Sequence, residues 1–143
     1  MNILMGGTGY SILAMVALPE DGSYRSATEL AGSLGFPQPY LAKLFQSLAA
    51  RGLLESFRGP QGGFRLARPA HRITLEEIVR ALEGDDSISA CPMGLTCRKD
   101  QDGPCVLHDS LGQQKAALEQ TIQQTTLRDL QILDLHRKRK LKI

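Results

Sequence analysis

The chain has 143 residues, which is the usual length of a single domain. Hydrophobic residues make up 42% and charged residues 22%, so composition argues against a disordered or collagen-like chain. Aromatic residues make up only 5% and Trp is absent, so the core must consist mainly of Leu, Ile, Val and Ala. This composition favours α-helices over β-sheets.

The longest apolar stretch near the start covers residues 10–18. It has about half the length that a bilayer crossing needs. A signal peptide would require a basic segment before this stretch, and the sequence has none there. We therefore expect a cytoplasmic protein that makes no membrane contact.

Charge is distributed unevenly, although the formal net charge is only +2. Residues 51–72 contain five arginines against one acidic residue, whereas residues 73–90 contain five acidic residues against one arginine. Residues 136–143 contain five basic residues and no acid. A basic patch inside a folded segment is typical of nucleic-acid binding, with a solvated protein face as the alternative.

Three helices are predicted in the first part of the chain. Residues 10–18 form the first. Ser26 can cap a short second helix, with Glu29 returning the hydrogen bond in a capping box and Gly35 near its end. Apolar residues at steps of three and four predict a third helix over residues 37–51. The Gly-containing turn before the third helix is typical of a helix-turn-helix.

Residues 53–57 and 63–66 then predict two strands around a Gly-rich turn. A helix-turn-helix followed by a basic hairpin is a winged helix, so the predicted fold is mainly α with a small β-hairpin wing. The third helix suits the DNA major groove, and the hairpin can bring Arg58 to phosphates or the minor groove. The alternative is a three-helix core whose hairpin has no role in binding, but the clustered arginines favour the wing.

A fourth helix is predicted over residues 73–82, with Thr74 as its cap and Gly84 as its terminator. Two more helices are predicted near the C-terminus. The first has an apolar stripe of Leu107, Leu111, Leu118 and Ile122. The second is capped by Thr125 and Thr126 and contains Leu127, Leu130 and Leu133.

We expect the apolar stripe of the long helix to pair with its copy in a second subunit, with packing onto its own domain as the alternative. The chain is accordingly divided into a winged helix-turn-helix over residues 1–84, a cysteine-containing loop over residues 85–106 and dimerisation helices over residues 107–135. Residues 136–143 are expected to be a solvated or disordered basic tail.

Three cysteines, Cys91, Cys97 and Cys105, precede His108 within 18 residues. An odd number of cysteines in a cytoplasmic chain does not make a disulfide framework. Thiolate and imidazole are ligands that zinc and iron accept. Structural zinc sites usually use cysteines two to four residues apart, so these wider gaps favour an iron-sulfur cluster; zinc and metal-free reactive thiols remain the alternatives.

The motifs RGPQGGFRLARP and ITLEEIVRALEG, followed by three cysteines, resemble the Rrf2 family of bacterial transcription regulators. The resemblance covers residues 10–130. It implies a homodimer that binds palindromic promoter DNA and senses iron, cluster supply, nitric oxide or redox state through an iron-sulfur cluster. Cys91, Cys97 and Cys105 would be the cluster ligands and His108 the fourth, with a 2Fe-2S cluster favoured and a 4Fe-4S cluster possible.

The same resemblance implies that Gln38, Tyr40 and Lys43 face promoter DNA from the third helix, and that Arg58 does so from the hairpin. We also expect Arg65, the other arginine of the hairpin, to contact DNA. The chain also departs from the family pattern. The second cysteine gap is seven residues where several members have five, Gly9 stands where some members carry a ligating aspartate, and Ala42 replaces a glutamate of the recognition helix.

An enzyme would need an open coordination site and a general base in a pocket. The best acidic pair in the sequence, Glu76 and Glu77, is better explained as an exposed helix turn. We therefore predict that the chain is not an enzyme and has no small-molecule substrate.

Overall fold

The computed structural model describes residues 6–85 and 105–140. Within these ranges the chain is mainly helical, with one two-stranded sheet. The elements are α1 (Gly7–Val16), α2 (Ala27–Leu34), α3 (Gln38–Ala50), β1 (Leu54–Phe57), β2 (Gly63–Leu66), a 3-10 turn (Ala70–Arg72), α4 (Leu75–Glu83), α5 (Val106–Gln124) and α6 (Leu127–Lys140).

Local capping residues set the helix boundaries. Ser26 accepts a hydrogen bond of 3.1 Å from the Glu29 amide, as the predicted capping box requires, while the Glu29 carboxylate binds Arg25 instead. Thr74 and Glu77 form a complete capping box at the start of α4. These polar side chains satisfy amides that have no partner inside a helix.

We call α1 to α4 together with the β1–β2 hairpin the reading head, and the hairpin itself the wing. One hydrophobic core lies inside the reading head, and α3 contributes Leu41, Phe45 and Leu48 to it. Ile122 of α5 and Leu127 of α6 are buried in the same core. We call residues 86–105, which carry the three cysteines, the cysteine segment. The chain that follows it completes the core of the reading head.

Backbone hydrogen bonds between the start of α4 and the start of α6 hold the C-terminal helices against the reading head. The Leu75 amide donates to the Thr125 carbonyl over 2.9 Å, and the Leu127 amide donates to the Ile73 carbonyl over 2.8 Å. These bonds make a bridge in which Thr74 lies opposite Thr126. Helices α4 and α6 thus begin side by side.

The apolar stripe of α5 is divided between two environments. Ile122 is 1% exposed and Leu118 packs against the core, whereas Leu107 is 52% exposed. The end of α5 therefore packs onto its own reading head, which was the alternative to pairing with a second subunit, and the start of α5 has an exposed apolar side chain.

The C-terminal basic segment differs from an irregular tail, because α6 continues through Lys140. Arg and Lys are good helix formers, so the leucine-containing helix extends into the basic residues. None of the described helices has both the length and the apolar character needed to span a membrane.

Candidate nucleic-acid interface

Helix α3 has one buried face and one exposed polar face. Leu41, Phe45 and Leu48 are buried, whereas Gln38 and Lys43 are exposed. The exposed face continues for one more turn through residues 46 and 47, which lie three and four positions after Lys43. This polar face is the part of the reading head that a DNA major groove would meet.

The start of α3 is supported by α1. The rings of Tyr10 and Phe36 lie 4.1 Å apart at their centroids, directly before the Pro37 cap of α3. Tyr40 is 44% exposed, and its hydroxyl lies against Gly7, where any side chain would clash with it. Tyr40 therefore belongs both to the exposed end of α3 and to its contact with α1.

The wing is joined to α3 and to the segment before α2. Phe64 of the wing packs edge-on against Phe45 of α3, with 5.2 Å between ring centroids. Arg25 and Phe64 exchange two backbone hydrogen bonds of 2.9 and 2.8 Å. The wing is consequently held in a fixed orientation relative to α3.

The Gly-rich turn of the wing has a steric explanation. A side chain at Gly62 would overlap the Phe57 carbonyl, and one at Gly63 would overlap the backbone of Arg25. Gly63 also has a φ of +152°, which L-residues rarely adopt. The second and third glycines of the RGPQGGF motif are therefore required by close backbone approach.

Arg65, one of the predicted DNA-contacting residues, lies at the surface and contacts three other residues of the chain. Its guanidinium binds the Glu55 carboxylate at 2.6 Å, lies 4.7 Å from the centre of the Tyr24 ring and donates to the Gly22 carbonyl over 3.3 Å. The hydrogen bond to Glu55 raises the pKa of Arg65. These contacts fix the outer face of the wing.

The five arginines of residues 51–72 divide into two groups. Arg51, Arg65 and Arg68 form ion pairs with Asp85, Glu55 and Glu77. Among the described residues, no ion pair involves the side chain of Arg58 or Arg72. Arg58, exposed at the turn of the wing, is therefore the arginine of the wing that is available to a phosphate or base.

Two aromatic residues of this region were missed by the sequence patterns. Phe57 is 57% exposed at the end of β1, and its ring lies 5.6 Å from that of Tyr24. Strand alternation alone predicts that Phe57 shares a face with Glu55, but it does not predict the contact with Tyr24.

Two of the four predicted metal ligands, Cys105 and His108, lie in the described part of the chain. Both are exposed at the beginning of α5. Cys105 is the residue before the helix, and its carbonyl accepts a 3.0 Å hydrogen bond from the His108 amide. Cys91 and Cys97 lie outside the described residues. Within residues 6–85 and 105–140, no group of three metal-binding side chains comes together.

Comparison with known proteins identifies the family of the chain. The Rrf2 family, described as an iron-dependent transcriptional regulator, matches residues 6–131. An HTH-type transcriptional regulator of Aquifex aeolicus is 32% identical over 119 residues, which is 82% of each chain.

Two solved structures are similar over most of their length. CymR, the global cysteine regulator of B. subtilis, has a TM-score of 0.76 at 25% identity and covers 90% of this chain and 95% of its own. T. potens IscR has a TM-score of 0.70 at 28% identity and covers 88% of this chain and 83% of its own. These proteins are regulators and not enzymes, as predicted for this chain. The chain belongs to the Rrf2 family and is a DNA-binding transcriptional regulator with a winged-helix fold.

Proposed function

We propose that the chain is a homodimeric regulator that binds palindromic promoter DNA and senses iron, cluster, nitric oxide or redox status through its cysteine segment. The observation that carries the DNA-binding part is the contact between α3, which has an exposed polar face, and the wing, whose turn carries Arg58. Arg58 makes no ion pair within the described residues. Gln38, Tyr40 and Lys43 would contact the major groove, and Arg58 would contact phosphates or the minor groove. Arg65, which was also expected to contact DNA, would support the wing through its ion pair with Glu55.

Dimer formation is supported by an apolar surface between α1 and α6. Tyr10 and Leu13 of α1 and Leu130 of α6 line a groove of about 610 Å³. Leu13 is 53% exposed, and Leu133 on α6 is 56% exposed. A second copy of the chain would cover these side chains, and a two-fold dimer would place two α3 helices on the two halves of a palindrome.

Light scattering on the purified protein tests the dimer. The wild-type chain should have the mass of two copies, and Leu133→Glu should shift it towards one copy by burying a charge in the interface. Phe57→Glu is a matched control, since it introduces the same charge at an equally exposed apolar residue of the wing and should leave the mass unchanged. A monomeric wild-type protein would contradict the proposed dimer.

The sensing part is supported by the donor set at the start of α5. Cys105 and His108 are three residues apart and both exposed, so a thiol and an imidazole are available at the start of α5. This donor chemistry fits an iron-sulfur cluster, with Cys91 and Cys97 as the remaining ligands and 2Fe-2S preferred over 4Fe-4S. Such a cluster would supply a reversible change of charge and ligation when it loses iron or changes its oxidation state.

This chain has contacts that could relay such a change to the reading head. Arg80 of α4 binds Glu76 at 2.8 Å and Glu119 of α5 at 3.4 Å, and it donates to the Asp85 carbonyl. The Asp85 carboxylate in turn lies 3.7 Å from Arg51, at the end of α3. The two sides of the cysteine segment, Asp85 and α5, are therefore both held by one guanidinium.

A second candidate is a regulator whose cysteines react directly as redox-active thiols or bind zinc. The structural likeness to CymR, which has been solved in an oxidised form from Staphylococcus aureus, favours this candidate. It uses the same reading head and differs only in the chemistry of the cysteine segment.

Anaerobic purification, followed by an absorption spectrum and iron, sulfide and zinc analysis, separates the candidates. Brown protein with matched iron and sulfide supports the cluster, and Cys97→Ala should then remove the colour and change DNA affinity. His108→Gln should weaken cluster retention, whereas the matched change at another exposed histidine, His71→Gln, should not. Protein that binds only zinc, or no metal while changing DNA affinity on oxidation, supports the second candidate.

A further inference from the structure

We propose that Phe57 is a DNA-contacting residue of the wing, lying beside Arg58 against the deoxyribose rings that line the minor groove. The inference rests on the proposed DNA binding and adds an apolar contact to the charged one. It uses neither the cysteine segment nor a bound metal.

The exposed apolar side chains of the described residues divide into two sets. Seven large hydrophobic residues are exposed there, and five of them lie on α1, α5 and α6, away from the wing: Tyr10, Leu13, Leu107, Ile132 and Leu133. The other two are Tyr40 and Phe57. Tyr40 contacts α1 through Gly7, so Phe57 is the apolar side chain of the wing whose exposure the fold leaves unexplained.

Phe57 is held in position rather than left to move freely. It lies opposite Gly63 in the last paired position before the turn of the wing. The Tyr24 ring lies 5.6 Å away, and the Arg65 guanidinium lies over that Tyr24 ring. The edge of the Phe57 ring also reaches to within 3.8 Å of where a side chain at Gly59 would begin. A ring braced in this way loses little conformational entropy when it binds.

The chemistry next to Phe57 identifies its partner as duplex DNA. Arg58 follows Phe57 directly, is exposed and makes no ion pair within the described part of the chain. A wing that carries an arginine and an apolar ring in adjacent positions matches the minor groove, where phosphates lie beside deoxyribose carbons. A protein surface or a membrane would be matched by a larger apolar patch than this single ring.

The two contacts differ in their salt dependence. An arginine that neutralises a phosphate releases counterions, so its loss lowers the slope of log K against log salt by about one. A phenyl ring against sugar carbons releases none, so its loss weakens binding and leaves the slope unchanged. The experiment therefore distinguishes the role of Phe57 from that of its neighbour.

The probe is a labelled duplex selected from a random-sequence library by the wild-type protein. We expect Phe57→Ser to weaken binding about fivefold at every salt concentration, and Phe57→Leu, which keeps an apolar contact, to stay within about twofold of wild type. Arg58→Ala is the comparison variant and should lower the salt slope. Circular dichroism and urea unfolding of each variant show that the wing remains folded.

Three results would overturn the inference: Phe57→Ser with wild-type affinity, equal losses for Phe57→Ser and Phe57→Leu, or a lowered salt slope for Phe57→Ser. If the wild-type protein selects no duplex, the proposed DNA binding itself fails. That outcome is distinct, because it is seen before any variant is compared.

Discussion

The ring of Phe64 meets the ring of Phe45 edge-on, at an interplanar angle of 81°. Phe45 is fully buried on α3 and Phe64 is 8% exposed on β2, so this pair joins the helix that would enter the major groove to the wing. Because aromatic packing of this kind is specific in angle as well as distance, it contributes to the orientation of the wing relative to α3.

Replacing Phe64 by Ala should lower the free energy of unfolding by about 3 kcal/mol, since it removes a buried ring and leaves a cavity. Phe64→Leu should cost less, because it keeps the burial and loses the edge-on contact. Urea unfolding measures both. If Phe64→Leu binds DNA like the wild type while Phe64→Ala does not, burial and not ring geometry orients the wing.

Arg58→Ala should change DNA affinity but not stability, whereas Arg65→Ala should change stability. Arg58→Ala should weaken DNA binding about tenfold with no change in the urea midpoint, because the side chain has no ion-pair partner in the described structure. Arg65→Ala should lower the urea midpoint, because it removes the contacts to Glu55 and Tyr24. An unchanged midpoint for Arg65→Ala would mean that its ion pair contributes nothing to the wing.

Gly63→Ala should destabilise the protein by about 2 kcal/mol or more, since the new methyl group meets the Arg25 backbone at a positive φ. Gly32→Ala is the matched control. Gly32 lies inside α2 with open space around it, so alanine there should stabilise the chain by roughly 0.5 to 1 kcal/mol. The midpoint temperatures of thermal unfolding of the two variants should therefore shift in opposite directions from that of the wild type.

Ionised Glu77 should stabilise the protein, so that the free energy of unfolding falls as the pH is lowered in the acid range. Burial alone would raise the pKa of Glu77, but the hydrogen bonds from the Thr74 amide and from Arg68 outweigh burial and lower it below the ordinary value of 4.5. The stabilisation is fully present above that ordinary value and is lost as pH falls through the lowered pKa. Glu77→Gln should flatten this part of the stability curve, measured by urea unfolding between about pH 6 and pH 2. A curve that stays as steep in Glu77→Gln would assign the acid dependence to other carboxylates.

Most elements of the fold could be predicted because their signals are local. The periodicity of residues 37–51 and the caps at Ser26 and Thr74 place α2, α3 and α4 within one or two residues of their observed bounds. The wing strands follow equally from the apolar runs on either side of the Gly-rich turn. The winged-helix fold expected from these elements is confirmed by the solved relatives.

The candidate site could be predicted only in part, because its electrostatics depend on contacts that are distant in sequence. Which arginines remain available follows from acidic partners on other elements, such as Glu77 for Arg68. The sequence predicts a cluster of five arginines. Within the described part of the chain, Arg65 of the wing is paired with Glu55, whereas Arg58 has no ion pair. The ligand roles of Cys91 and Cys97 stay predictions, since both residues lie outside the described ranges.

The bridge between Thr74 and Thr126 bears on how the polypeptide can be divided. Because α6 starts beside α4 and Leu127 is fully buried, a fragment that stops at residue 84 would lack part of its own interior. A proteolytic cut anywhere in residues 86–104 would instead give two pieces that stay associated and co-purify under native conditions. The segment that carries Cys91 and Cys97 is thus an insertion within one folding unit, and not a linker between two independent ones.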